Sequence, residues 1–508
     1  MKESDIIRTM MWRKLFVKLR SINTLKYLAA FLAPVILVAF LTPALDNDSW
    51  FLLSEGREIA ENGIFYTDKL SMHGDFNVVM QQYGFAYVFW MVYSALGPAG
   101  IYMMALVLNF FVCFLVYKIC MLISEKNVNL SLLIMVITDL MLVCMQFIVT
   151  RPQMVSFVLF LAVIYVMELY VRKKKKKVLW LIPVIALLWA NMHASLFMLL
   201  ILLMATYIVD GIRKPKLHLE GYNVKPIVVA LFAAILAGLL NPYGIRMLTY
   251  IFTSYGVNSI FSLVDEMKPF GIRGAEDAFL FIAIVAVLVL YIFAKNKKRI
   301  RARYLLMLFG FLALGISSVR GMAQLILVLF FPIAELYKDV RLERVLDAKI
   351  GRDALVVWCG ITAVLVAGAA IFTVLPRIKN GPGESICEAV DAIDESVLKL
   401  GLEKENLKVY TGYNNGCYLE FRGYKPYLDP RAEVFLKKNN GKEDVLDEWL
   451  SYRTVNTERE KFLEKYDFDY VFTEGYDFLY KIDFGGYELI HDDEEAGIRV
   501  YRHIKDGD

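Results

Sequence analysis

The sequence predicts an α-helical polytopic membrane protein that carries a folded C-terminal α/β or α+β domain. Three observations lead there. Of 508 residues, 58% are hydrophobic, and the mean hydropathy of +0.49 lies well above that of water-soluble enzymes. The apolar residues fall into long runs separated by short basic clusters, as the positive-inside bias produces in cytoplasmic loops. Beyond residue 383 the composition turns charged and tyrosine-rich over a stretch of ordinary domain size.

Residues 1–26 hold Lys2, Arg8, Arg13, Lys14, Lys18, Arg20 and Lys26. This basic start is expected in the cytoplasm, ahead of a first span at 27–45. The run is long enough to span, and no small-x-small cleavage site ends it, so a removable signal peptide is not expected. Asp46 and Asp48 follow in Leu45-Asp46-Asn47-Asp48-Ser49-Trp50. A carboxylate in hydrocarbon costs about 2.5–3.5 kcal/mol, so the pair marks the exit from the bilayer. The first external loop, 45–100, is long for a connector, and its aromatic stretch 83–96 reads as a juxtamembrane helix rather than a span.

That choice fixes the register of the remaining spans, expected at 101–123, 130–149, 155–171, 179–190, 196–209, 227–240, 279–293, 304–317, 325–336 and 355–375, or about 11 transmembrane helices in all. It places Arg172 with Lys173 through Lys177, Arg213 with Lys214 and Lys216, the cluster 295–303 and the segment 338–352 on the cytoplasmic side. The transmembrane domain is thus 27–376, with a second long external stretch at 241–278 that contains an expected interfacial helix at 245–264. Residues 377–383, with Asn380-Gly381-Pro382-Gly383, form a linker, and parity puts the domain 384–508 outside the cell membrane. Within it, 408–411, 470–472 and 498–501 read as strands and 444–450 as a helix.

Cys113, Cys120, Cys144 and Cys359 sit in apolar runs, which leaves Cys387 and Cys417 as the disulfide candidates. The five histidines are scattered and no C-x-x-C occurs, so a structural zinc site is not indicated. The net charge is +4, with the basic residues gathered in short clusters between apolar runs, and nucleic acid is not implied.

With this topology the unusual polar residues collect at external helix ends: Asp46 and Asp48, Arg151, Asn191 and His193, Asn241, Glu266 beside Asp265, and Arg320. Arg151 and Arg320 run against the positive-inside bias. Their forked donors suit a phosphate, and a lipid phosphate at headgroup level is within reach; each could instead pair with an acidic neighbour. His193 suits a phosphate donor or an acid/base, or a polar side chain satisfied by backbone. Asn241 before Pro242 also suits a helix stop and turn.

The order of short motifs carries a resemblance. Asp48-Ser49-Trp50 is followed by Glu55-Gly56-Arg57-Glu58-Ile59, Asn62-Gly63 and Thr67-Asp68-Lys69-Leu70-Ser71. Then come Arg151-Pro152-Gln153, Trp189-Ala190-Asn191-Met192-His193 and Asn241-Pro242-Tyr243-Gly244. In the tail stand Tyr413-Asn414-Asn415-Gly416-Cys417-Tyr418-Leu419 and Asp429-Pro430-Arg431-Ala432-Glu433. The chain resembles the GT-C superfamily of membrane glycosyltransferases, and more closely a bacterial branch related to polyprenyl-phosphate-sugar-dependent transferases.

The resemblance implies transfer of a sugar from a polyprenyl-phosphate donor to an extracytoplasmic glycan, lipid or protein acceptor within the cell envelope. Asp48 matches the family's first-loop acid and would be the general base. Asp46 completes a D-x-D spacing that the branch does not always have. The two carboxylates could hold a divalent cation, and no other cofactor is implied. Arg151 and Arg320 would bind the lipid phosphate, with His193, Asn191, Asn241 and Glu266 as further substrate-binding residues. Where the branch often has an acidic residue and tryptophan late in the loop, this chain has Gln81-Gln82-Tyr83-Gly84. The alternatives are a transporter or flippase of lipid-linked saccharides, and a non-catalytic envelope-assembly protein.

Overall fold

The computed structural model describes residues 45–212, 221–254, 257–295, 301–339, 381–454, 459–475, 477–483 and 486–505. The expected basic N-terminus, the first span apart from Leu45, the last span and the first part of the linker lie outside these residues.

Helix α1 (Asn47–Asn62) starts at Asp46, whose carboxylate accepts from the Ser49 amide, and stops at Gly63, where φ is +83°. Next comes α2 (Tyr83–Ile123), broken at Gly97 with φ +64° and ψ −160° and followed by Pro98, which cannot continue the hydrogen-bond ladder. The break falls where the sequence separates a juxtamembrane helix from a span. The bundle continues through α3 (Val128–Cys144), α4 (Gln153–Lys173), α5 (Leu181–Met192), α6 (Met198–Ile212), α7 (Lys225–Gly238), α8 (Ala275–Lys295), α9 (Ala302–Ser317), α10 (Met322–Val328) and α11 (Phe331–Leu336).

Among the described residues four helical stretches are long and apolar enough to cross a membrane: Tyr83–Ile123, Gln153–Lys173, Ala194–Ile212 and Val319–Leu336. Shorter apolar helices accompany them at Val128–Cys144, Lys225–Gly238, Asp277–Ile292 and Ala302–Ser317. The expected interfacial helix at 245–264 is instead three pieces, Ile245–Thr249, Ile251–Ser254 and Asn258–Leu263, with an extended Val257 ahead of the last.

Some of the basic residues expected on the cytoplasmic side are buried. Arg303 is 1% exposed and donates to Glu168 at 2.8 Å and to Asp210 at 3.0 Å. Arg172 reaches the same Glu168 at 2.8 Å and also Glu335, which Arg301 pairs with as well. Three guanidiniums and three carboxylates thereby fasten α4, α6, α9 and α11 at the end of α4 that leads into the exposed lysines 173–177.

The C-terminal domain opens with α12 (Glu384–Leu400), which is amphipathic and buries Ala389, Val390, Ile393 and Val397. Its mixed sheet has the order β2-β1-β3-β5-β4, built from β1 (Lys408–Tyr410), β2 (Lys425–Pro426), β3 (Tyr470–Glu474), β4 (Tyr487–Asp493) and β5 (Ile498–His503). The two β1 pairings are parallel, while β5 pairs antiparallel with β3 and β4. The sequence-predicted strands are β1, β3 and β5, and the predicted helix at 444–450 extends over Val445–Thr454. Cys387 and Cys417 are free thiols. The Cys387 Sγ points at Tyr418 Oη and that of Cys417 at the Asn414 carbonyl, so the expected disulfide candidates do not pair.

The core of this domain is not its own. Trp50, Leu52 and Leu53 of α1 join Phe85 and Phe89 of α2 and Val390, Val409, Tyr418 and Phe472 in one apolar cluster. Helix α1 is pressed so closely on α2 that a Cβ at Gly56 would lie 2.1 Å from the Ala86 carbonyl oxygen. Its Arg57 donates to the carbonyls of Glu420 and Phe421 at 3.1 Å each, closing the end of α13 (Gly416–Phe421).

Candidate active site

The site forms where the start of α1 meets the ends of bundle helices. Asp46 caps α1, taking the Ser49 amide at 2.9 Å and the Ser49 hydroxyl at 2.6 Å on one oxygen. Its other oxygen receives Arg151 Nε at 2.5 Å. Asp48 stands in the first turn of the same helix, where the unsatisfied amides favour a negative charge, and lies 3.0 Å from Arg151 Nη1. Arg151 occupies the link between α3 and α4. Thr150 Oγ1 lies 3.1 Å from Ser49 Oγ and ties that link to α1.

Glu266 extends the network. It sits on a three-residue 3-10 turn, Asp265–Met267, whose main chain is held by Ser318 Oγ on the Glu266 carbonyl and by the Val319 amide on the Lys268 carbonyl. One carboxylate oxygen lies 3.2 Å from Arg151 Nη1; the other receives Arg320 Nε at 3.2 Å and Nη2 at 3.0 Å. Asp46, Asp48, Arg151, Glu266 and Arg320 thus form one connected cluster assembled from four separate parts of the chain.

Asp48, Arg151, Glu266 and Arg320 line a cavity of about 370 Å³. Its opposite wall comes from the C-terminal domain and the end of the first loop: Gln81, Gln82, Tyr413, Asn414, Arg431 and Glu433. Gln81 donates to Glu433 at 3.1 Å across that junction. Arg431 is held by three buried carboxylates, Asp429 at 2.6 Å, Asp68 at 2.8 Å and Glu420 at 3.3 Å. This clamp fixes the loop that carries Glu433 against the segment between α1 and α2.

About a third of the Asp48 side chain, 32%, reaches solvent, the rest being packed among protein atoms. Desolvation is the largest influence and, with help from Asp46 and Glu266 against Arg151 and Arg320, pushes its pKa up to about 6. Burial likewise raises Glu433, against the nearby Arg320 and Arg431. His193 also lines the cavity. Its Nδ1 lies 2.8 Å from Ser156 Oγ, which takes the Trp189 indole N–H at 3.0 Å. Burial, reinforced by Arg320, lowers the His193 pKa to about 3, so the ring is neutral and not a cation at ordinary pH.

Of the residues singled out in the sequence, Asp46, Asp48, Arg151, Glu266 and Arg320 come together and His193 joins them at the cavity. Asn191 and Asn241 do not. The Asn191 amide is spent on the Leu187 and Leu240 carbonyls and on Tyr83 Oη, a link between helices. Asn241 shapes the turn after α7, giving its N–H groups to Gly238 and Gly244 and taking the Tyr243 amide. Among the described residues no group of three or more His, Cys, Asp and Glu stands ready for a metal. Arg151 fills the place between Asp46 and Asp48 that a bridging cation would need, so the pair does not fit a divalent ion as arranged. The C-terminal wall was not among the sequence candidates. Its residues lie in the two tail motifs quoted above, and only their order along the chain hinted at a role.

Neither protein-family models nor curated proteins match the chain. The fold and site define a class only: a helical bundle with membrane-length apolar helices, closed at one end by an α/β domain over a cavity of guanidiniums and carboxylates. What the cavity does has to be argued from its chemistry.

Proposed function

We propose that the chain is a GT-C-type membrane glycosyltransferase that moves a sugar from a polyprenyl-phosphate donor to an extracytoplasmic glycan, lipid or protein acceptor. The topology that goes with this reading has a cytoplasmic N-terminus, about 11 spans and the C-terminal domain outside. The observation that carries it is the meeting of Asp48, raised to about 6, with two guanidiniums in one cavity at the end of the bundle. An inverting transfer asks for those parts.

The acceptor oxygen forms the new bond to the anomeric carbon as the bond from that carbon to the phosphate oxygen breaks. Asp48 takes the hydroxyl proton, and the leaving polyprenyl phosphate keeps the electron pair. Arg151 and Arg320 stabilise the charge that grows on that phosphate. His193, a neutral imidazole lining the cavity, is a further hydrogen-bonding group. Gln81, Asn414 and Glu433 face the acceptor side with groups suited to sugar hydroxyls.

The test is an assay of the purified protein in lipid nanodiscs against a panel of polyprenyl-phosphate sugars with glycan, lipid and peptide acceptors. Release of polyprenyl phosphate coupled to glycoside formation, lost in Asp48→Asn, supports the reading. No turnover across the panel by well-folded protein overturns it.

A further inference from the structure

We propose that Arg151 and Arg320 form an anion seat whose resident occupant is Glu266, and that a phosphate-class ligand binds by displacing this carboxylate. The proposal rests on the reading above, in which the two arginines meet the donor phosphate, and adds what must happen for them to do so.

The first support is geometric. Glu266 bridges the two guanidiniums, one oxygen 3.2 Å from Arg151 Nη1 and the other 3.0 Å from Arg320 Nη2. Two oxygens on one centre, each facing its own fork, is how a phosphate also engages a pair of arginines. The bridging carboxylate stands where the ligand's oxygens would go, and all three side chains line the same cavity.

Charge counting gives the second support. The cluster holds three carboxylates, Asp46, Asp48 and Glu266, against two guanidiniums. An anionic ligand added to this set meets an excess of negative charge, which in a partly desolvated cavity is costly. Withdrawal of one carboxylate removes that obstacle and frees donors at the same time.

The third is that only one of the three carboxylates is free to withdraw. Asp46 caps α1, and Asp48 belongs to its first turn. Glu266 lies on a short turn between the extended residues Val264 and Lys268, and its side chain is 40% exposed. The turn's anchors, Ser318 Oγ and the Val319 amide, hold main-chain carbonyls, so the side chain can swing away with the backbone in place. Ion pairs this exposed are weak, which suits a contact that must be exchanged.

The experiment measures binding of polyprenyl phosphate in nanodiscs, and of inorganic phosphate in solution, to the full chain and to Glu266→Gln, Glu266→Ala and Arg320→Gln. Glutamine keeps the size of the side chain and removes its charge; alanine removes both, and serves if the amide alone disturbs the turn. The expectation is about tenfold tighter binding in both Glu266 variants, a difference of about 1.4 kcal/mol, and weaker binding in Arg320→Gln. Tightening seen with both ligands assigns the seat to phosphate itself, whereas tightening with the lipid alone assigns it to the lipid-borne headgroup; either supports displacement. Unchanged or weaker binding in both Glu266 variants, with the unaltered protein binding normally, overturns the proposal and makes Glu266 an organiser of the arginines, leaving the donor-site reading intact. No phosphate binding by any form, the unaltered protein included, overturns the donor-site reading as well.

Discussion

Trp50 and Tyr418 meet edge to face with ring centroids 5.1 Å apart and planes at 76°, although 368 residues of sequence separate this position of α1 from that of the C-terminal domain. Phe421 closes on the same indole at 4.9 Å. Trp50 is fully buried. The relationship makes α1 a shared element, one face on the bundle and the other inside the tail domain.

Trp50→Ala should therefore detach the tail domain rather than merely soften the bundle. Loss of a large buried aromatic costs about 3–5 kcal/mol. Limited proteolysis should release a fragment starting near residue 381 from the variant and not from the unaltered protein. By the same argument the segment 384–508 made alone exposes the surface that Trp50 covers, and should melt cooperatively only when α1 is supplied.

Under the proposed reaction, Asp48→Asn should cost about 10²- to 10⁴-fold in glycosyl transfer with little effect on folding. The cap of α1 is Asp46, so the amide at 48 leaves the helix start intact. Near-normal turnover would remove the base from the mechanism. Asp46→Asn is different in kind: it loses charge opposite Arg151 and weakens a cap, and should show as lower thermal stability, by about 1 kcal/mol.

The pH profile offers a separate check on Asp48. A base must be ionised, so kcat/KM should rise with pH through an apparent pKa of about 6 and flatten above it. In Asp48→Asn that limb should vanish from whatever activity is left. A limb that persists in the variant would belong to another group.

Glu55 makes a prediction about stability rather than turnover. It is 3% exposed on α1, one oxygen has no hydrogen-bond partner, and burial, with Asp429, Asp68 and Glu433 adding and Arg431 opposing, raises its pKa to about 8. The folded state thus binds this proton more tightly than the unfolded chain does. Its contribution is full below the unfolded carboxyl pKa of about 4.3 and is lost as pH rises through about 8. Glu55→Gln should melt higher than the unaltered protein at about pH 9, and the gap should close towards about pH 5.

Much of this was legible in the residues, and the boundary is physical. Apolar runs mark helices because burial or lipid demands them, so the expected spans among the described residues fall on helices. The break at Gly97-Pro98 falls in the gap left between 83–96 and 101–123, which length and aromatic content had separated. Asp46, Asp48, Arg151 and Arg320 stood out because charge at a span's edge is unusual, and those four meet. Asn191 and Asn241 also stood out, but an amide beside a helix end is equally at home on backbone carbonyls, and nothing local tells the two uses apart. The opposite wall of the cavity, Gln81 with Glu433, depends on a contact between residues 352 apart, which no pattern within a segment encodes. The short strands β2 and β4 were hidden by a proline and by a run of charges.

At the far end of the bundle, Glu168, Asp210, Arg172 and Arg303 set a condition on how the protein is made. Each charged side chain entering a bilayer alone costs about 2.5–3.5 kcal/mol, and their partners emerge from the ribosome up to 163 residues apart. Glu168 has Arg172 one helical turn away on α4, but Asp210 on α6 gains its guanidinium only when α9 delivers Arg303. A chain cut short before residue 303 would therefore leave Asp210 without this ion pair and Glu168 with one of its two guanidiniums.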